Sequence, residues 1–133
     1  MALLLDDLKA YLVAQSVALT GAIFLGSLPA TPDVCLSLIE YGGREPEAGF
    51  GVSGVAREWP RVQVVARGVA NDYAGPRTLA EAAYKALAKV NTQTLTATYY
   101  YTVWPLQAPF LLQRDTNNRV QIAFNVECQK ALS

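Results

Sequence analysis

The chain has 133 residues, 17% of them charged and 52% apolar, and its eleven basic and eleven acidic side chains cancel. That length gives a single domain, 1–133, with a core that needs no disulfide or metal staple. Zero net charge excludes a domain-wide positive field for collecting nucleic acid, although a local basic patch stays open. The small charged fraction leaves much of the surface uncharged, which fits either a large core or a surface covered by other chains.

Leu4 to Ser16 reads as a helix, because Leu4, Leu5, Leu8, Tyr11 and Leu12 recur at three and four spacing and share one face. Asp6 and Asp7 stand in its first turn, where the helix dipole favours acids. They also stand where a secretion signal needs positive charge, so the segment is not one. The longest apolar region, Val17 to Leu28, is interrupted by Thr20, Gly21, Gly26 and Ser27. It falls short of the roughly twenty residues of a membrane span. A soluble protein made in the cytoplasm is the expectation. Within that region, Ala22 to Leu25 reads as a short strand or a packed loop.

Pro29 and Pro32 exclude helix around Leu28 to Asp33. Val34 to Tyr41 is the first clear strand, with Val34, Leu36 and Leu38 on one side and Cys35, Ser37 and Ile39 on the other. Gly42 and Gly43 end it. Gly43 to Pro60 then reads as a long polar loop, rich in glycine and charge (Arg44, Glu45, Pro46, Glu47, Gly49, Gly51, Gly54, Arg57, Glu58). Loops of more than about a dozen residues are uncommon in compact domains and are usually functional or disordered. Arg61 to Arg67 is a second strand, closed by Gly68. A second helix starts at Asn71 or Pro76 and ends at Val90, with Asn71 and Asp72 as caps. Glu81 and Lys85 form a surface pair on it, and Leu79, Ala82, Ala83, Ala86, Leu87 and Val90 an apolar stripe.

Leu95 to Cys128 reads as two strands joined by a polar turn, the hairpin on which the rest packs. The first strand carries Tyr99, Tyr100, Tyr101, Val103 and Trp104, and the turn is Asp115 to Asn118. The second has the cleanest alternation in the chain: Val120, Ile122, Phe124, Val126 and Cys128 dry, against Arg119, Gln121, Ala123, Asn125 and Glu127 wet. The order helix, strand, strand, helix, strand, strand does not fit a doubly wound parallel sheet. It predicts an α+β fold with an antiparallel or mixed sheet of about four main strands and two helices packed on one face.

No constellation of catalytic, cofactor-binding or metal-ligating residues emerges. The chain has no histidine, the commonest general base and metal ligand. Ser37, Ser53, Cys35 and Cys128 therefore have no imidazole to activate them, and no acidic or Cys cluster has metal-ligand spacing. Cys35 and Cys128 sit in apolar runs as small hydrophobes, and a bridge between them is unsupported. Gly49, Gly51 and Gly54 spell a dinucleotide fingerprint, with Asp72 at a fitting distance. That site needs a strand entering the glycines and a helix leaving them, and here a polar stretch precedes them and Pro60 follows. Tyr99, Tyr100, Tyr101 and Trp104 suit either a base-stacking platform or core and interface packing. Alternation sends Tyr99 and Tyr101 to one face and Tyr100 to the other, which favours packing.

Several segments together resemble the tail terminator type of phage minor capsid protein, one of the head–tail joining families. They are Leu4-Leu5-Asp6-Asp7-Leu8, Leu28-Pro29, Pro32-Asp33, Glu40-Tyr41-Gly42-Gly43, and the run from Pro60 to Arg67. Ala83-Tyr84-Lys85-Ala86-Leu87, Arg114-Asp115, Arg119 and Phe124-Asn125-Val126 follow in the same order. The resemblance implies a small α+β virion protein, made in the host bacterial cytoplasm and placed at the neck end of the tail. There it would form a ring, typically a hexamer, that caps the tail tube and docks the head connector or its adaptor proteins, with DNA passing through the lumen. No catalytic residue, cofactor, metal or membrane contact comes with it.

The residues expected to make the assembly contacts are Arg44, Glu45, Phe50, Arg57 and Trp59 in the long polar segment, and Asp115 and Asn117 in the turn. Two alternatives stand beside this reading: a head–tail adaptor or stopper of the connector, and a small-ligand-binding α+β domain with an aromatic pocket around Tyr99 to Trp104. A nucleic-acid module is disfavoured by the charge balance.

Overall fold

The computed structural model describes residues 3–49 and 54–132. Helix α1 (Leu4–Ala14) buries Leu8, Tyr11 and Leu12, the stripe its spacing predicts. A single 3₁₀ turn, Thr20–Ala22, leads into β1 (Ile23–Leu25). Then come β2 (Cys35–Ala48), β3 (Val55–Ala70), α2 (Ala74–Leu87), β4 (Asn91–Leu95), β5 (Thr98–Pro105), β6 (Phe110–Arg114) and β7 (Arg119–Ala131).

The sheet has seven strands in the order β1-β2-β3-β7-β5-β4, with β6 also paired to β7. Only β1 against β2 is parallel, so the sheet is mixed. The expected four main strands are too few. β1, β4 and β6 have three to five residues each, too short to show a period, and β4 reads Asn-Thr-Gln-Thr-Leu with almost no apolar signal. The C-terminal hairpin is also built differently. The Asp115–Asn118 turn joins β6 to β7, whereas β5 lies beside the other half of β7.

One core unites both helices with one face of the sheet. Leu36 and Leu38 of β2, Val62, Val64 and Ala66 of β3, and Ile122, Phe124, Val126 and Cys128 of β7 meet Leu8 and Leu12 of α1 and Ala80, Ala83 and Leu87 of α2. The small alanines let α2 lie close on the strands, and Tyr84 places its ring edge-on to Phe124 at 5.6 Å. The Tyr11 hydroxyl donates to the Ala86 carbonyl at 2.7 Å and ties α1 to the end of α2. Tyr100, fully buried, donates to Asp7 Oδ2 at 2.8 Å. At the start of α2 the Gly75 N–H donates to Asp72 Oδ1, while the surface pair forms between Arg77 and Glu81 at 3.0 Å. Among the described residues Glu81 makes no bridge to Lys85, because Arg77 already holds it.

The opposite sheet face is wet only in part. Arg119, Gln121 and Ala123, on the side read as wet, are buried. Here the chain from Ala30 to Asp33 is strapped to the sheet. Arg67 donates to the Pro32 and Asp33 carbonyls, and Arg119 donates to the Ala30 carbonyl and Asp33 Oδ1. Both cysteines are buried and free.

Candidate assembly face

Within the segment Gly43–Pro60, the stretches Gly43–Ala48 and Val55–Pro60 are strand and not loop: they are the outer parts of β2 and β3, which stay paired from Cys35↔Arg67 to Ala48↔Val55. Gly42, Gly43 and Pro60 mark an irregularity instead, since the register shifts between Tyr41 and Arg44, again before Glu47 and again before Ala48. Gly43 sits where a Cβ would run into the Trp59 carbonyl oxygen, so the arm needs glycine there. Glu40 to Ala48 are all exposed, which explains why no hydrophobic alternation advertises the strand. After Gly54 the chain enters β3, not a helix, so the Gly49, Gly51, Gly54 pattern lacks the helix N-terminus a pyrophosphate needs.

At the base of this arm, on the sheet face away from the helices, side chains gather in a row across four strands. Cross-strand pairing aligns Tyr41, Arg61, Glu127 and Trp104 on β2, β3, β7 and β5. Trp104 is 66% exposed and Tyr41 43%, while Glu127 accepts from both Arg44, at 2.9 Å, and Arg61, at 3.1 Å. Beside the row, Trp59 lies almost fully buried beneath two guanidinium groups, Arg44 at 4.9 Å and Arg57 at 5.9 Å from its ring centre. Arg57 also stacks over Tyr101 at 4.2 Å, and Tyr101 meets Tyr99 edge to face. The Trp59 indole N–H is buried without an acceptor among the described residues. Two arginines, Arg44 and Arg61, thus hold one carboxylate beside an aromatic frame that Arg57 caps. Trp, Tyr and Arg are the residues that dominate protein–protein hot spots, since each offers a large contact area with a polar handle.

The structure therefore brings Arg44, Arg57 and Trp59 together. Glu45 is on the same arm, where with Arg44, Pro46, Glu47 and Trp59 it lines a shallow open groove. Phe50 lies outside the described residues. Asp115 and Asn117 stand apart from the arm: Arg57 pairs with Ala131 at one end of β7, and Asp115 lies just before Arg119 at the other. Twelve residue steps of strand put roughly 40 Å between them. The Asp115 side chain is occupied within its own turn, accepting from the N–H groups of Asn117 and Arg119 and from the Arg119 guanidinium at 2.7 Å. Desolvation pushes its carboxyl up, but these hydrogen bonds outweigh it and hold the group below the ordinary carboxylate range. Asn117 is exposed.

Tyr41, Arg61 and Glu127 escape a reading from sequence alone, and Trp104, singled out there with the aromatic run, is not linked to them. Each is an ordinary wet-face residue of its own strand, and only the register between strands assembles them. The aromatic run splits as alternation predicts, with Tyr100 in the core and Tyr99 and Tyr101 on the far face. Among the described residues no group of three or more His, Cys, Asp or Glu could hold a metal. No described helix is long and apolar enough to cross a membrane.

The helix-free face beside the projecting arm has the aromatic and arginine composition of a protein contact surface. The sequence matches the family model of bacteriophage tail terminator proteins over residues 9–132. The chain belongs to that family and is a structural protein of a phage tail, in agreement with the resemblance carried by its short motifs. Among solved structures it shares its fold with a chain of the virion of a native gene transfer agent particle, at a TM-score of 0.68 and 13% identity, covering 97% of this chain and 95% of that one. No curated protein matches the sequence.

Proposed function

We propose that this protein caps the phage tail tube as a hexameric ring, and that the ring's far face docks the head connector. Membership of the tail terminator family carries this reading. The contact-forming face adds to it: a heterologous contact repeated about an axis closes a ring when the rotation fits, and such a contact needs two unlike surfaces on one chain. The arm with its arginine–aromatic base is one such surface. Zero formal charge suits a lumen through which DNA passes without being gripped. The protein then does no chemistry of its own, takes no cofactor and sits at the neck of the virion.

Loss of the gene from a phage tests this reading. It predicts tail tubes of uncontrolled length that fail to join DNA-filled heads, counted by negative-stain electron microscopy. Tails of normal length that join heads would refute it. A head–tail adaptor, one layer nearer the head, would leave tail length normal and abolish joining alone.

A further inference from the structure

Two bare strand edges lie at diagonally opposite corners of the sheet. The first is the outer edge of the arm. β1 covers β2 only at Leu36 to Leu38, so among the described residues β2 from Glu40 to Ala48 pairs with β3 on one side alone. The second is a composite edge along β7. The end of β5 places Trp104 and Pro105 beside Glu127 and Val126, Leu106 bonds to Asn125, and β6 continues the line with Phe110 and Leu111 beside Ala123 and Ile122. Among the described residues β6 pairs only with β7. This edge is flanked by exposed apolar side chains: Trp104, Leu106, Leu111 and Leu112 at 66%, 42%, 59% and 39%. An apolar, unpaired strand edge invites pairing with another chain unless something covers it.

We infer that in the ring the outer edge of one copy's arm adds as a strand to the β6 edge of the next copy, so that the sheet continues from subunit to subunit. This rests on the ring reading above. Three observations select a second copy of this chain as the occupant. The chain itself supplies an extended, exposed, unpaired strand of suitable length. The two edges are unlike and lie on opposite flanks of the sheet, as a closing head-to-tail contact requires. Their charges complement: Glu45 and Glu47 on the arm have no ion-pair partner among the described residues, and neither has Arg114, which ends β6. Strand addition also uses both faces of an edge, because alternate side chains point to opposite sides. That accounts for apolar exposure on both flanks of β6. Within one chain the two edges cannot reach each other: three strand spacings and about seven residue steps separate Glu45 from Leu111, roughly 27 Å.

The test uses two single-cysteine variants, Glu45→Cys and Leu111→Cys, supplied together during assembly of the phage. Both sites are exposed, and the native Cys35 and Cys128 are buried and silent. Isolated tails are treated with a short bismaleimide. The expected result is a covalent dimer in mixed tails and none in tails holding either variant alone. Intact rings seen by electron microscopy without that dimer would overturn the edge pairing and leave the ring reading standing. Tails that carry no ring would overturn both.

Discussion

The Tyr100–Asp7 contact gives the most exacting test of how the core is closed. Tyr100 is fully buried and donates to Asp7 Oδ2 at 2.8 Å, while Asp7 is 1% exposed and its Oδ1 has no partner among the described residues. The tyrosine hydroxyl is therefore the only hydrogen bond this buried carboxyl receives. Tyr100→Phe keeps the ring and leaves no cavity, so the loss isolates that bond. A hydrogen bond to a charged or strongly polar buried group is worth about 1.5–3 kcal/mol, and the orphaned carboxyl places the cost near the upper half, about 2–3 kcal/mol. For a domain of this size about 1 kcal/mol moves Tm by about 3–4 °C, so Tyr100→Phe should lower it by roughly 6–12 °C. Removing both partners, as Asp7→Ala with Tyr100→Phe, should cost less than the sum of the single changes by at least about 1 kcal/mol. Urea denaturation of the four proteins measures the cycle. A Tyr100→Phe variant within about 0.5 kcal/mol of the parent, or additive single changes, would refute the reasoning.

Gly43→Ala drives a Cβ into the Trp59 carbonyl and should destabilise by about 1–3 kcal/mol, the usual cost of overpacking, read as a lower urea midpoint. Arg44→Ala removes the cover over Trp59 and one of the two guanidiniums on Glu127; in a Trp104→Phe background the emission should shift to the red, with stability changing by no more than about 1 kcal/mol. Stability should hold from pH 7 to about 8.5 and fall above the ordinary thiol value of 9.0, because burial raises the Cys128 thiol to about 12 in the folded state. Unfolded chains then release that proton first, at about 1.4 kcal/mol per pH unit. Burial also raises Tyr100, so the loss steepens once unfolded tyrosines ionise above pH 10.0. Denaturation midpoints at pH 8 and pH 10 check this, and Cys128→Ala should flatten the first part of the slope.

What the sequence declares and what it conceals divide along a physical line. α1, α2 and the dry side of β7 are readable because burial on one face imposes a period, as in Leu8, Tyr11 and Leu12 or Ile122, Phe124 and Val126. The arm is concealed because both its faces meet solvent from Glu40 to Ala48. With no period to show, its glycines and prolines read as a loop. The length and polar character of the segment still draw attention to Arg44, Arg57 and Trp59. Their partners Arg61, Glu127, Tyr41 and Trp104 depend on strand register, which no single strand encodes. Asp115 is the opposite case: its turn-forming character is plain, and the structure uses that character internally, to anchor Arg119 and the Ala30–Asp33 strap.

A reconstruction of the intact particle's neck by cryo-electron microscopy weighs most directly on the account. It should reveal a closed ring of this chain between the last layer of tail tube and the connector, with the arm of each copy lying against its neighbour. Density in which the chain is missing from the neck, or stands there as isolated copies without mutual contact, would contradict it.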